Sequence, residues 1–228
     1  MTNRLLSLSL AAAAFASTLQ AEEGAFVPLF DGKTLTGWEQ HSGTAEYRVE
    51  NEAIVGKTVP NTGNSFLCTA RKYGDFILEL EFKVAPGMNS GIQFRSNCYE
   101  KETEVEINGK KKIFPADRVH GYQFEIDPSP RAFTGGVYDE GRRGWLFDLK
   151  NNEAARKAFK QGDEWNKARI ECKGSSIKTF INGVPAADLT DDMTKEGVIA
   201  LQVHGIGKKT EAVGKEVMWR NIRIQELK

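Results

Sequence analysis

The 228-residue sequence predicts an all-β fold, a sandwich or jelly roll. Three observations predict it. Many short runs alternate apolar and polar residues, the period of a strand with one buried face. Turn signals such as Asp31-Gly32, Pro86-Gly87, Asn108-Gly109 and Asn182-Gly183 recur roughly every 8–12 residues. Helical periodicity is scarce and reaches useful length only near residues 152–160.

The chain begins with Arg4, an apolar run from Leu5 to Ala16, and small or polar residues ending at Ala21. This pattern reads as a secretory signal peptide, residues 1–21. The run is too short to span a bilayer, and no cysteine follows it to carry a lipid. The expectation is an exported protein, periplasmic or secreted, with residues 22–228 as one β-sandwich domain.

Asp31-Gly32 and Gly37 bracket a tight bend around Trp38, which reads as core at a sheet end. Tyr47–Glu50 and Ala53–Val55 form a hairpin on Asn51-Glu52, and Ser65–Ala70 is a further strand. Phe76–Val84 alternates strongly, with Phe76, Leu78, Leu80, Phe82 and Val84 opposite Glu79, Glu81 and Lys83. Ile92–Arg95 alternates again after the Asn89-Ser90-Gly91 turn. Glu104–Ile107 and Lys110–Phe114 flank Asn108-Gly109, the preferred two-residue hairpin turn, and their charges suggest a solvated flap. Pro128–Gly144 reads as one long loop, rich in Gly, Pro and Arg. Asn152–Lys160 favours a short helix through Glu153, Ala154, Ala155 and Ala158. Strands resume at Ala168–Cys172, Ile177–Ile181, Gly197–His204 and Val217–Glu226.

The formal charge balances, with 31 basic and 31 acidic residues. That argues against nucleic acid or an anionic membrane as main partner. Cys68, Cys98 and Cys172 allow at most one internal disulfide, and buried free thiols are the simpler reading. No pair has CxxC spacing, so the sequence predicts no zinc site. Any divalent metal lacks a recognisable motif, and His41 and His120 read as structural.

The stretch Gly121–Asp127 is the most informative. Tyr122, Phe124 and Ile126 share one face, while Gln123, Glu125 and Asp127 share the other. Pairing two carboxylates on one face costs repulsion unless something uses them. The polar rows of the other strands offer Glu79 and Glu81, Gln93 and Arg95, and Gln202 and His204. If these strands pair in one curved sheet, the rows pave a concave polar cleft suited to a polyhydroxylated ligand. Several members have plainer readings. Glu79 reads as solvated, Glu81 and Arg95 as an ion pair across strands, and His204 as a turn residue. Asn89 sits at the turn that would form the rim, and Arg131, Tyr138, Arg142 and Arg143 lie in the adjoining loop.

Several pieces together resemble the 3-keto-disaccharide hydrolase domain family. They are Phe30–Trp38, Asn89-Ser90-Gly91, Gly121-Tyr122, Trp165-Asn166, Asn182-Gly183, Leu201–Gly205 and Trp219–Ile222. They run in order through essentially all of the chain after the leader. The resemblance implies a concanavalin A-like or laminin-G-like jelly roll, export, and action on 3-oxidised glycosides. Members of that family commonly carry Glu at position 123 and Gln at 125, and this chain exchanges them.

For such a substrate, a ketone at C3 acidifies the C2 proton, and a carboxylate can abstract it before the C1–O bond breaks. Glu125 or Asp127 is then the expected base, with His204 or Glu81 as acid. Arg95, Gln93 or a bound metal would stabilise the enolate. Asn89, Gln123, Tyr138, Gln202 and Arg143 complete the expected substrate-binding set. Two other readings of the same residues are an ordinary two-carboxylate glycosidase and a non-catalytic carbohydrate-binding module. The glycosidase reading lacks a Glu-x-Asp-x-x-Glu run, since Pro128-Ser129-Pro130 follows Asp127.

Overall fold

A computed structural model describes residues 24–228, so the expected leader lies outside the described residues. The first strands are β1 (Val27–Pro28), β2 (Trp38–His41), β3 (Glu46–Glu50), β4 (Ala53–Lys57) and β5 (Ser65–Thr69). They are followed by β6 (Phe76–Val84), β7 (Ser90–Asn97), β8 (Thr103–Ile107), β9 (Lys110–Phe114) and β10 (His120–Ile126). Next come β11 (Val137–Glu140), β12 (Gly144–Phe147) and the helix α1 (Glu153–Ala158). The chain closes with β13 (Asn166–Lys173), β14 (Ser176–Ile181), β15 (Val184–Thr190), β16 (Val198–Val203) and β17 (Glu216–Glu226).

These strands build two antiparallel sheets that face each other, the all-β sandwich that alternation predicts. The back sheet runs β15-β14-β13-β6-β17-β4-β3, with β1 added to β17. The front sheet runs β12-β11-β10-β7-β16-β5-β2, and β8-β9 stands apart as a hairpin. The core fills the space between. Leu78, Phe82 and Trp219 enter from the back, and Ile92, Phe94, Tyr122, Phe124 and Leu201 from the front. Phe82 meets Phe124 edge-on across the interface, with ring centroids 6.2 Å apart. The hydrophobic effect thus places one face of every central strand, and the remaining face of the front sheet is left to do chemistry.

Several expectations change. Residues 128–144 are not one loop, because β11 lies within them and pairs with β10, while β12 begins at their end. The glycines that hid these strands have specific work. At Gly135, φ is 100° and a Cβ would sit 2.8 Å from the Ala186 Cβ. β15 was masked by Pro185, which an edge strand tolerates and which lies beside a register shift. The helix forms with Asn152 as its cap, its Oδ1 accepting from the Ala155 N–H at 3.1 Å. Trp38 is buried and its Nε1 donates to the Leu29 carbonyl at 3.0 Å. All three cysteines are free, with Cys68 and Cys172 buried. Among the described residues no helix is long and apolar enough to cross a membrane.

Candidate active site

The central strand of the site is β10. Tyr122, Phe124 and Ile126 are fully buried on its core side, so Gln123 and Glu125 emerge on the outer face of the front sheet. Register then selects their neighbours. Glu125 lies opposite Gly91, which lies opposite Gln202 on β16. In the next row Gln123 lies between Tyr138 on β11 and Gln93 on β7. Gly91 is required by this packing. A Cβ there would sit 2.5 Å from Gln123 Cδ, because the Gln123 side chain lies across it.

The amides form a directed chain that ends on the carboxylate. Gln93 and Gln202 both donate to Gln123 Oε1, and Gln123 Nε2 donates to Glu125 Oε2 at 2.6 Å. Asn89 Nδ2 donates to the other oxygen at 2.7 Å. Ser96 fixes the far end by donating to Gln93 Oε1 at 2.8 Å. With the Gln123 oxygen occupied by two donors, its N–H2 can only face Glu125, so the exchanged order of amide and acid has a structural logic. Burial raises the Glu125 carboxyl to about 7, against the lowering effect of Asn89 and Gln123. Gln202 Oε1 is buried and, among the described residues, accepts no hydrogen bond.

Around Glu125 opens a cleft of about 260 Å³ lined by Asn89, Gln123, Arg131, Tyr138, Glu140, Trp145, Gln202 and His204. Tyr138 and Trp145 line it side by side, packed edge-on at 5.3 Å. Arg131 lies with its guanidinium 5.2 Å from the rings of both Phe133 and Trp145. His204 is exposed at the rim, its Nδ1 2.8 Å from the Gly205 carbonyl. Glu140 also lines it, accepting from Arg118 at 2.8 Å.

Asn89, Gln123, Glu125, Tyr138, Gln202 and His204 are therefore brought together, with Gln93 behind them in the amide chain. Four expected members are placed elsewhere. Asp127 is buried at the start of the next loop and accepts from Ser129 N, Phe133 N and Arg131 Nε. Burial opposes its ionisation, but the Ser129 and Arg131 hydrogen bonds prevail and hold it below the usual carboxylate range. Its reach into the cleft is indirect, through Arg131.

Glu81 belongs to β6 of the back sheet, where it pairs with Arg220 at 2.7 Å. A two-sided strand alternates in the same way whichever sheet it joins, so the sequence pattern could not assign it. Arg95 does not meet Glu81. A bulge in β7 puts Arg95 at φ 44° and re-aims its side chain to the Gly74 and Gly174 carbonyls and Asp75. Arg143 is committed to Asp139 and Asp191, behind β11.

Glu140 and Trp145 escaped the sequence reading. Their signal was the Tyr138/Glu140 alternation inside the stretch read as a loop. A larger groove, about 750 Å³, runs over the outer face of the back sheet beside Glu79 and Glu81. Its carboxylates are already matched, Glu79 by Arg169 and Arg223 and Glu81 by Arg220 and Asn221. The smaller cleft is the chemically poised one.

Comparison with known proteins agrees with the all-β sandwich. A 3-keto-disaccharide hydrolase of Bacteroides thetaiotaomicron is 28% identical over 251 aligned positions, covering 92% of this chain and 81% of the relative. A protein of unknown function with a galectin-like fold from Bacillus subtilis superposes with a TM-score of 0.60 at 11% identity, covering 90% of this chain and 97% of that one. A crystal structure provisionally assigned as a glycosyl hydrolase, from Parabacteroides distasonis, gives 0.58 at 17% identity, covering 90% and 94%. At these identities the two structures speak to the fold alone. The profile of the 3-keto-alpha-glucoside-1,2-lyase-like domain matches residues 25–225, nearly all of the sandwich, and the chain belongs to that carbohydrate-acting family.

Proposed function

We propose that the protein cleaves 3-keto-glycosides by elimination and hydration, with Glu125 as general base. The observation that carries this reading is the state of Glu125: buried in the cleft, held by two amide donors, and raised to about 7. Such a base is half-ionised near neutral pH and well matched to a carbon acid activated by a ketone. The name of the Bacteroides relative supports the substrate class.

Glu125 takes the C2 proton, and the electron pair moves toward the C3 carbonyl as an enolate. Arg131, oriented by Asp127, supplies the cationic partner for that charge. The enolate then reforms the ketone as C1=C2 forms and the C1–O bond breaks. His204 at the rim protonates the departing oxygen. Water adds at C1, and C2 takes a proton from Glu125 that has meanwhile exchanged with solvent, to give the free 3-keto sugar. Tyr138 and Trp145 cover the sugar face, and the unpaired Gln202 Oε1 accepts a sugar hydroxyl. Residues 1–21 act as an export leader in this reading, and the sandwich from residue 22 works as one unit.

The test is parallel turnover of a 3-keto-glucoside and its unoxidised parent. Release of sugar from the 3-keto substrate alone is expected. Cleavage of the parent at a similar rate would mean two-carboxylate glycosidase chemistry, and binding of both without turnover would mean a binding module.

A further inference from the structure

At the far edge of the same sheet face, three segments bring a second set of reactive side chains together. His41 ends β2, Cys98 follows β7 on the way into the β8-β9 hairpin, and Asp117 lies on the way out of it. Their ligand atoms all lie within 4.8 Å of one another. His41 Nδ1 and an Asp117 oxygen are 2.6 Å apart. Register separates the group from the cleft, since Glu125, Gly91, Gln202, Phe66 and His41 follow one another across five strands. Four strand spacings amount to about 19 Å.

The group is already organised. The Ser42 N–H donates to the other Asp117 oxygen at 2.9 Å, and Ser42 Oγ donates to the Asp117 carbonyl at 3.0 Å. The Asp117 N–H donates to the Tyr99 carbonyl at 2.8 Å, tying the aspartate to the segment that carries Cys98. On the outer side, Glu39 lies 3.9 Å from His41 Nε2, where it can hold the second imidazole nitrogen. One nitrogen, one sulfur and one carboxylate oxygen make a donor set for a borderline divalent ion of the Zn²⁺ type. Around a tetrahedral Zn²⁺ such atoms stand about 3.3–3.6 Å apart, by the usual bond lengths. Small side-chain rotations reach that spacing from the observed cluster.

We propose that His41 Nδ1, Cys98 Sγ and one Asp117 oxygen bind a single Zn²⁺-type cation, with a fourth position open to solvent, and that this ion staples the root of the hairpin to β2. On binding, the Cys98 S–H bond breaks and its proton leaves to solvent, while sulfur forms the bond to the ion. The imidazole proton transfers to Nε2, facing Glu39, and the His41–Asp117 hydrogen bond gives way to two metal bonds. Because Cys98 and Asp117 flank the hairpin, the ion closes its base. CxxC arithmetic missed the site because its three ligands come from separate segments.

The test uses the full chain, stripped with chelator and titrated with Co²⁺ and then Zn²⁺. Expected are a thiolate-to-cobalt charge-transfer absorption saturating at one ion per chain, and its displacement by Zn²⁺. Cys98→Ser should abolish the absorption and weaken Zn²⁺ binding at least about 100-fold, and His41→Gln about as much. Asp117→Asn should weaken it about 10–100-fold, while Cys68→Ser leaves it unchanged. Zn²⁺ should also slow tryptic cleavage at Lys110–Lys112 of the hairpin in the unmodified chain and not in Cys98→Ser. Absence of the charge-transfer absorption, or its survival in Cys98→Ser, overturns the site. Binding that leaves hairpin cleavage unchanged overturns the staple.

Discussion

Glu125 answers to two opposed requirements, burial that favours its neutral form and amide donors that favour its charged form. Burial wins, and the pH dependence follows. A base must be ionised to act, so kcat should rise with pH through a midpoint near 7, read from a pH–rate profile on a 3-keto-glucoside. Glu125→Gln should lower kcat about 10²–10⁴-fold, in the same assay. The stability consequence has the opposite sign. The folded carboxyl holds its proton more tightly than the unfolded chain does, so stability is lost as pH rises from the ordinary glutamate value of 4.5 to about 7. Relative to wild type, Glu125→Gln should therefore gain stability between pH 4 and pH 8, by up to roughly 3 kcal/mol in denaturant titrations. An unchanged difference at the two pH values would show that Glu125 is not strained by burial.

At the scale of elements, the front sheet works as a register device that aligns amides from β7, β10 and β16 behind one carboxylate. Gly91→Ala tests it, because the added Cβ would occupy the space of the Gln123 side chain. It should cost about 1–3 kcal/mol of stability. It should also move the kcat midpoint upward, since Glu125 loses a donor to its charged form. A merely structural role would cost stability and leave the midpoint in place. The hairpin offers a second test. His120 stacks on Phe114 of β9 with centroids 3.7 Å apart, and among the described residues neither ring nitrogen finds a partner. Burial, with Arg142, Arg118 and Lys112 nearby, lowers it to about 3. Stability present above pH 6.5 is thus lost as pH falls toward 3. His120→Phe should remove that acid sensitivity, gaining up to about 2 kcal/mol relative to wild type at pH 5 by chemical denaturation.

For the molecule as a whole, alternation and turn chemistry carried most of the architecture, because burial of one strand face writes a period of two into the sequence. The β3-β4 and β8-β9 hairpins were legible for that reason, the buried Trp38 from the turns that bracket it, and the short helix from Glu153 and its alanines. Sheet membership was not, since alternation at Glu81 looks the same in either sheet. Backbone irregularity was not either: the bulge at Arg95 turns a face residue inward, and Gly135 disguises the approach to β11. Glu125 was recognisable from its own strand, whereas Glu140 and Trp145 required knowing that the following segment pairs beside it. The account's central claim is that Glu125 removes the C2 proton of a 3-keto-glycoside. Turnover in D₂O, with early product examined for deuterium at C2 against an enzyme-free control, tests it most directly. The prediction is sugar carrying deuterium at C2 at a rate that Glu125→Gln cuts about 10²–10⁴-fold. Product released with its original C2 hydrogen, or full turnover by Glu125→Gln, would contradict it.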